Sequence, residues 1–314
     1  MAYVRTLTTL VLAVALAGCV SAPPEQNAGG TRENKSGPIR IGLSMDTLKE
    51  ERWQRDRDLF VARARELGAE VLVQVANGDD ATQIQQAENL LTQGVDVLVV
   101  IPHNGVNAAS IVDSAKRQNV PVISYDRLIM NPSIDLYVSH QVTKIGEMQA
   151  QYLLDRAARG NYVIIGGSPT DNNAKLLHDG QMKVLQPAVD RGDVRIVFDQ
   201  YSREWLPSEA LRNTENALTQ NNDQVVAVVA SNDGTAGGAI QALEEKKLTG
   251  KVLVSGQDAD LPALQRIVQG TQTMTIYKPI QPLAHSAAEA AVKLARGEKV
   301  DAPTTIDVNG RQVP

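Results

Sequence analysis

The residues that could do chemistry in this chain come in short polar groups, each placed directly after an apolar run. Ile39, Ile41 and Leu43 lead into Glu50-Glu51-Arg52-Trp53, and Val120 to Ser124 lead into Tyr125-Asp126-Arg127. Tyr162 to Ile165 run into Gly166-Gly167-Ser168-Pro169-Thr170-Asp171-Asn172-Asn173, and Val225 to Ala230 into Ser231-Asn232-Asp233. Val252 to Ser255 end in Gly256-Gln257-Asp258, and Thr273 to Tyr277 in Lys278-Pro279. Carboxylates, planar amides, guanidinium groups and an ammonium together suit a ligand rich in hydroxyls. Each hydroxyl both donates and accepts, and a planar bidentate side chain can bracket two neighbours. Trp53 and Trp205, the two tryptophans of the chain, both stand at the mouth of a helix and offer flat apolar faces to the C–H groups of a pyranose ring.

Each of these residues also has an ordinary structural reading. Asp171 or Asn173 could cap a helix, Asn232 could close an Asx-turn, Lys278 could be a surface lysine, and Trp53 shares a helical stripe with Phe60 and Leu67. Recurrence at six strand ends favours a cleft instead, because the carboxyl ends of parallel strands are where open α/β sheets bind ligands. Enzymatic signatures are missing: the chain has no Gly-x-Ser-x-Gly elbow, no His-Glu-x-x-His, no phosphate loop and no dinucleotide fingerprint. His103, His140, His178 and His285 show no metal-ligand spacing, so no metal and no cofactor are expected. Asp126 and Asp258 could serve as a glycosidase acid and base, a reading that stays open at this level.

The elements that must position these groups alternate, strand then helix, from Ile39 to Arg296. That pattern implies an α/β fold with doubly wound parallel sheets, and because the series restarts near Leu136 to Ser139 it implies two such lobes. We expect an N-terminal lobe of residues 38–140 plus 279–314 and a C-terminal lobe of residues 141–278. A short basic start, an apolar run from Leu7 to Ala17 and Leu16-Ala17-Gly18-Cys19 mark residues 1–18 as a secretory signal. The box resembles that of bacterial lipoproteins, with Cys19 as the acylated mature N-terminus. Residues 19–37, rich in Pro, Gly and Asn, read as a flexible tether of ~25 Å r.m.s. reach. A formal charge of −5 and no basic run exclude nucleic acid as the main partner.

On these residues the chain resembles the ribose/galactose-type periplasmic sugar-binding proteins that feed ABC importers. The likeness runs from about Ile39 to Ala302 and includes Glu51-Arg52-Trp53-Gln54, Asp171-Asn172-Asn173-Ala174-Lys175, Ser255-Gly256-Gln257-Asp258-Ala259-Asp260 and Tyr277-Lys278-Pro279. It implies a type I periplasmic binding protein fold, two lobes joined by a hinge, and a monosaccharide held between them, with D-xylose the expected ligand. It further implies that Arg52, Asp126, Arg127, Asp171, Asn173, Asn232, Asp258 and Lys278 hydrogen-bond the sugar while Trp53 and Trp205 stack on its faces. The implied partners are an ABC permease and, through Cys19, a bacterial membrane, placing the protein in the periplasm or at the cell surface. Coupling to a chemoreceptor or other signalling partner is the alternative. His140-Gln141-Val142 stand where the family tends to show an Asp-Asn pair. Relatives continue through a third crossover beyond the position of Pro314, so a looser hinge and an exposed sheet edge and apolar surface in the second lobe are also expected.

Overall fold

The computed structural model describes Met1 and residues 37–314; the expected signal segment, Cys19 and nearly all of the expected tether lie outside the described residues. Strands β1 (Ile39–Met45), β2 (Ala69–Val75), β3 (Val97–Ile101), β4 (Val122–Tyr125) and β5 (Leu136–Val138) form one parallel sheet in the order β2-β1-β3-β4-β5. Parallel neighbours need crossovers. Helices α1 (Glu51–Glu66), α2 (Asp80–Thr92) and α3 (Ala109–Arg117) supply them up to β4, and residues 126–135 join β4 to β5 without a helix.

The second sheet repeats the plan. After α4 (Val142–Leu154) come β6 (Gly160–Gly166), α5 (Asn172–Asp190), β7 (Val194–Tyr201), α6 (Pro207–Gln220), β8 (Ala227–Ala230), α7 (Asp233–Glu245), β9 (Leu253–Val254) and α8 (Leu261–Val268), with strand order β7-β6-β8-β9, all parallel. In each sheet the winding reverses beside the first strand, between β1 and β3 and between β6 and β8. That reversal opens a crevice at the carboxyl ends of the strands.

Burial explains why β3 and β8 read as unbroken apolar runs: all of Val97–Ile101 and Ala227–Ala230 are buried. On one face of the first sheet Ile41, Leu43, Val97 and Val99 pack with Phe60 and with the alanine-rich side of α9 (Ile280–Ala295), including Ala284, Ala287 and Ala291. On the other, Leu98 and Val100 pack with Leu90, Ile111 and Val112. Helix α9 thus returns from the second lobe to complete the first. The chain leaves the first sheet after β5 and returns to it with α9.

Two local differences from the sequence reading are informative. Thr273 to Tyr277 forms no regular strand, because its ladder reduces to an isolated bridge between Gln257 and Ile276: Thr273 N and Met274 N both donate to Val254 O, at 3.0 and 3.4 Å, Ile276 N to Gly256 O at 3.2 Å, and Asp258 N to Ile276 O at 2.9 Å. This segment lies along β9, so that edge is not bare. The C-terminal residues form an unexpected antiparallel hairpin, β10 (Ile306–Val308) and β11 (Arg311–Val313), turned at Asn309 (φ 52°) and Gly310 (φ 82°). Val308 and Val313 are buried in the first lobe's core, and Tyr137 N donates to Pro314 O at 2.8 Å.

Candidate functional site

Each strand end delivers its polar group by a local device. After β1 the chain enters α1 through Glu50, whose backbone is extended and whose side chain makes no cap bond, and Arg52 and Trp53 follow in the first turn. After β4, Asp126 adopts the left-handed conformation (φ 58°), tolerable for Asp. Its carbonyl is held there by three donors: Ser139 Oγ at 2.7 Å, Tyr137 OH at 3.0 Å and Asn173 Nδ2 at 3.1 Å. After β6, a Cβ at Gly167 would lie 2.1 Å from the Trp205 ring, so only glycine lets the indole rest there.

Three of these residues carry a structural role together with the site role, and Asn232 does so as a helix cap. Asp171 caps α5 by accepting from Asn173 N at 2.9 Å through Oδ1, while its Oδ2 accepts from Trp205 Nε1 at 3.2 Å and pairs with Arg127 Nε at 2.9 Å. Asn232 caps α7 in a reciprocal box with Thr235 (Thr235 N to Asn232 Oδ1, 2.8 Å) and still faces the cleft. Trp53, 3% exposed, belongs to the first lobe's core and also lines the cleft, with the Arg52 guanidinium 4.2 Å and that of Arg127 5.1 Å from its ring centre.

The charges form one network across both lobes. Asp126 Oδ2 accepts from Arg52 Nη2 at 2.9 Å and Lys278 Nζ at 3.3 Å, and Oδ1 accepts from Asn173 Nδ2 at 3.1 Å. Arg52 also donates to Asp56 at 3.2 Å and lies 3.5 Å from Asp258 Oδ1, while Tyr125 OH donates to Asp56 from behind. Burial opposes ionisation of Asp126, but Arg52 and Lys278 outweigh it and hold this carboxyl far below the usual range. Burial pushes Asp56 and Asp171 up despite their arginine partners. Arg127, between Asp171 and Asp46, is held more firmly protonated although burial works against it. Asp126 is therefore a fixed acceptor in an ionised cluster.

All ten sequence-selected residues, Arg52, Trp53, Asp126, Arg127, Asp171, Asn173, Trp205, Asn232, Asp258 and Lys278, line a single cleft. Glu50, Val142 and Gln257 complete its wall without having been selected. Asp258 Oδ1 is buried with no hydrogen bond among the described residues, so an acceptor faces the cleft. Sequence reasoning also missed Gln149, fully buried on α4, which donates to Ser231 O at 3.1 Å and Gly256 O at 3.0 Å. It ties the ends of β8 and β9 together beside Asn232 and Asp258. A lone glutamine inside a helical stripe gives no signal of this.

His140, beside the crossover, is driven down to about 4 by burial and by the nearby Lys278. The unfolded side chain titrates near ~6.5. Its neutral form therefore stabilises the fold fully above that value, and the contribution is lost as pH falls from about 6.5 towards 4. His140→Asn should flatten this part of the acid limb in urea unfolding followed against pH; an unchanged limb would assign the loss to other groups.

A family profile described as a periplasmic binding protein domain matches residues 41–299. The chain belongs to the periplasmic binding protein family. Among similar proteins, the D-xylose-binding periplasmic protein of Escherichia coli (strain K12) is 54% identical over 276 residues, covering 88% of this chain and 84% of that relative. The protein of the same description from Haemophilus influenzae is 53% identical, covering 88% and 83%. A carbohydrate transporter solute binding protein from Chloroflexus aurantiacus, solved in complex with D-glucose, superposes with a TM-score of 0.82 at 31% identity over 87% of this chain and 89% of that one. As a periplasmic binding protein this chain binds its ligand without transforming it, which agrees with the ionised, bridged state of Asp126.

Proposed function

We propose that this protein captures D-xylose as a pyranose between its lobes and passes it to an ABC importer. The observation that carries this reading is the convergence of ten polar and aromatic residues from both lobes on one cleft, in a chain 54% identical to a D-xylose-binding periplasmic protein. In this reading Asp126, Asp171, Asp258 and Asn232 accept from or bracket hydroxyls, Arg52, Arg127, Asn173 and Lys278 donate, and Trp53 and Trp205 cover the ring faces. Residues 38–140 with 279–314 and residues 141–278 act as the moving lobes, and a ligand touching both favours the closed state. Calorimetric titration with xylose, ribose, arabinose, glucose and galactose tests it, and heat from none of them would sink the reading. Trp205→Ala should weaken xylose binding by ~1–3 kcal/mol, taking base–aromatic stacking as the scale. An unchanged affinity would return Trp205 to a purely structural role.

The same proposal places the protein at the outer side of a membrane through acylated Cys19, supported by Leu16-Ala17-Gly18-Cys19 and the tether-like composition that follows. Two or more acyl chains anchor stably, at ~0.8 kcal/mol per buried CH₂. Cys19→Ser should move the protein to the soluble fraction on membrane fractionation, and retention on membranes would count against lipidation.

A further inference from the structure

Next to the monosaccharide cleft lies a second, open chamber, and the two share Glu50, Arg127 and Trp205 as walls. Its lining comes from both lobes, with Thr47 and Asn77 on one side and Ser168 and Leu206 on the other. The two lobes meet over it where Lys49 Nζ donates to Glu204 O at 2.8 Å. The charges around it are mixed in sign and come to balance where His103 is protonated: Asp46, Glu50 and Glu204 stand against Lys49, Arg127 and His103, whose hold on a proton Asp46 strengthens. Asp46 is already satisfied by His103 Nδ1 at 2.9 Å and Arg127 Nη1 at 2.6 Å. A balanced set of this kind favours neither an anion nor a cation, and its hydroxyl, amide and carboxylate groups suit a neutral polyhydroxylated ligand.

Two features show that the dividing wall is built and not incidental. Glu204 (φ 53°) and Trp205 (φ 58°) are consecutive non-glycine residues in the left-handed region, a conformation that persists only where surrounding contacts over-determine it. It sets the indole on Gly167 and turns its Nε1 to Asp171. Glu50 Oε2, at the junction of the two chambers, is buried and has no hydrogen-bond partner among the described residues. A buried carboxylate oxygen without a partner is costly, and a hydroxyl brought by a ligand spanning the junction would satisfy it.

We infer that the cleft carries a second subsite, beyond the wall of Glu50, Arg127 and Trp205, that takes a second neutral sugar unit, so that the protein also captures a disaccharide. The inference rests on the monosaccharide reading of the first chamber. Because both lobes line the second chamber, the second unit adds contacts that exist only in the closed state and so favours closure.

The test is calorimetric titration of the full chain with xylose and, separately, with xylobiose, two xylose units joined by a β-glycosidic link. Both should give heat at one site per chain. Thr47→Phe, which fills the second chamber from the first lobe, should weaken xylobiose by about tenfold or more, a change of ~1.4 kcal/mol or greater, and leave xylose unchanged. Leu206→Trp should do the same from the second lobe, so that misfolding of one variant does not decide the outcome. Heat from xylose with none from xylobiose overturns the subsite and leaves the monosaccharide reading standing. No heat from xylose defeats that reading, and the subsite with it. Equal weakening of both sugars by the filling variants also overturns the subsite, because the two chambers would then be one.

Discussion

Arg52→Met is expected to abolish xylose binding and to lower unfolding stability by ~3–5 kcal/mol, the range for removing one member of a buried ion cluster. The size follows from how many groups depend on this guanidinium. Arg52 bonds Asp126 at 2.9 Å and Asp56 at 3.2 Å and lies 3.5 Å from Asp258, and it is itself 5% exposed. Without it, Lys278, at 3.3 Å from Asp126 and 3.9 Å from Asp258, is the remaining basic partner of those two. Arg52→Lys should restore little, because an ammonium on a flexible stem cannot span three carboxylates in the plane of a fork.

The pH dependence should change in a defined direction. In the native protein Asp126 is held below its ordinary range, so its ionised form contributes stability that is complete above ~3.8, the ordinary Asp value, and is lost as pH falls below it. Arg52→Met should shrink that acid-side loss while lowering stability at neutral pH. Guanidinium unfolding at several pH values, with xylose calorimetry, checks both. A variant as stable as the native chain at pH 7 would show that the carboxylates do not need Arg52.

Much of this arrangement was legible from residue type and position. Parallel strands end in the cleft by construction, so polar groups after apolar runs mark a cleft, and the family resemblance narrows them to ten residues, including Trp205, which stands outside the six strand-end groups. The competing cap and core readings were not errors. Asp171 and Asn232 cap helices and face the cleft at once, and Trp53 is both core and wall. What was not legible depends on contacts distant in sequence. Gln149 reaches Ser231 and Gly256, 82 and 107 residues away, and no local pattern reports that. The C-terminal hairpin is different, since Asn309-Gly310 between Ile306-Asp307-Val308 and Arg311-Gln312-Val313 is a strong hairpin signal. Its buried Val308 and Val313 pack on the first lobe, so core contacts hold the hairpin as well as its turn.

Gly180→Ala is expected to cost ~1–3 kcal/mol of stability, the scale for overpacking, and to weaken xylose binding as well. Helices α4 and α5 meet backbone to backbone through a reciprocal pair of glycines. A Cβ on Gly180 would lie 2.0 Å from Thr143 O and 3.0 Å from Glu147 N, and one on Gly146 would lie 2.1 Å from Leu177 O. Carbonyl oxygens cannot rotate away as a flexible side chain can, so the helices must separate. Both helices begin at the cleft: α4 opens with Val142, next to the crossover, and α5 with Asp171 as cap and Asn173 in its first turn. Separation would therefore draw Asn173 Nδ2 from Asp126, a bond of 3.1 Å that joins the two lobes. Gly37→Ala is the control, because a Cβ there meets nothing within 4 Å. Urea unfolding and xylose calorimetry on both variants should show Gly37→Ala indistinguishable from the native chain and Gly180→Ala impaired in both measurements. If Gly180→Ala loses stability yet binds xylose normally, the α4–α5 contact supports the fold without setting the position of Asn173.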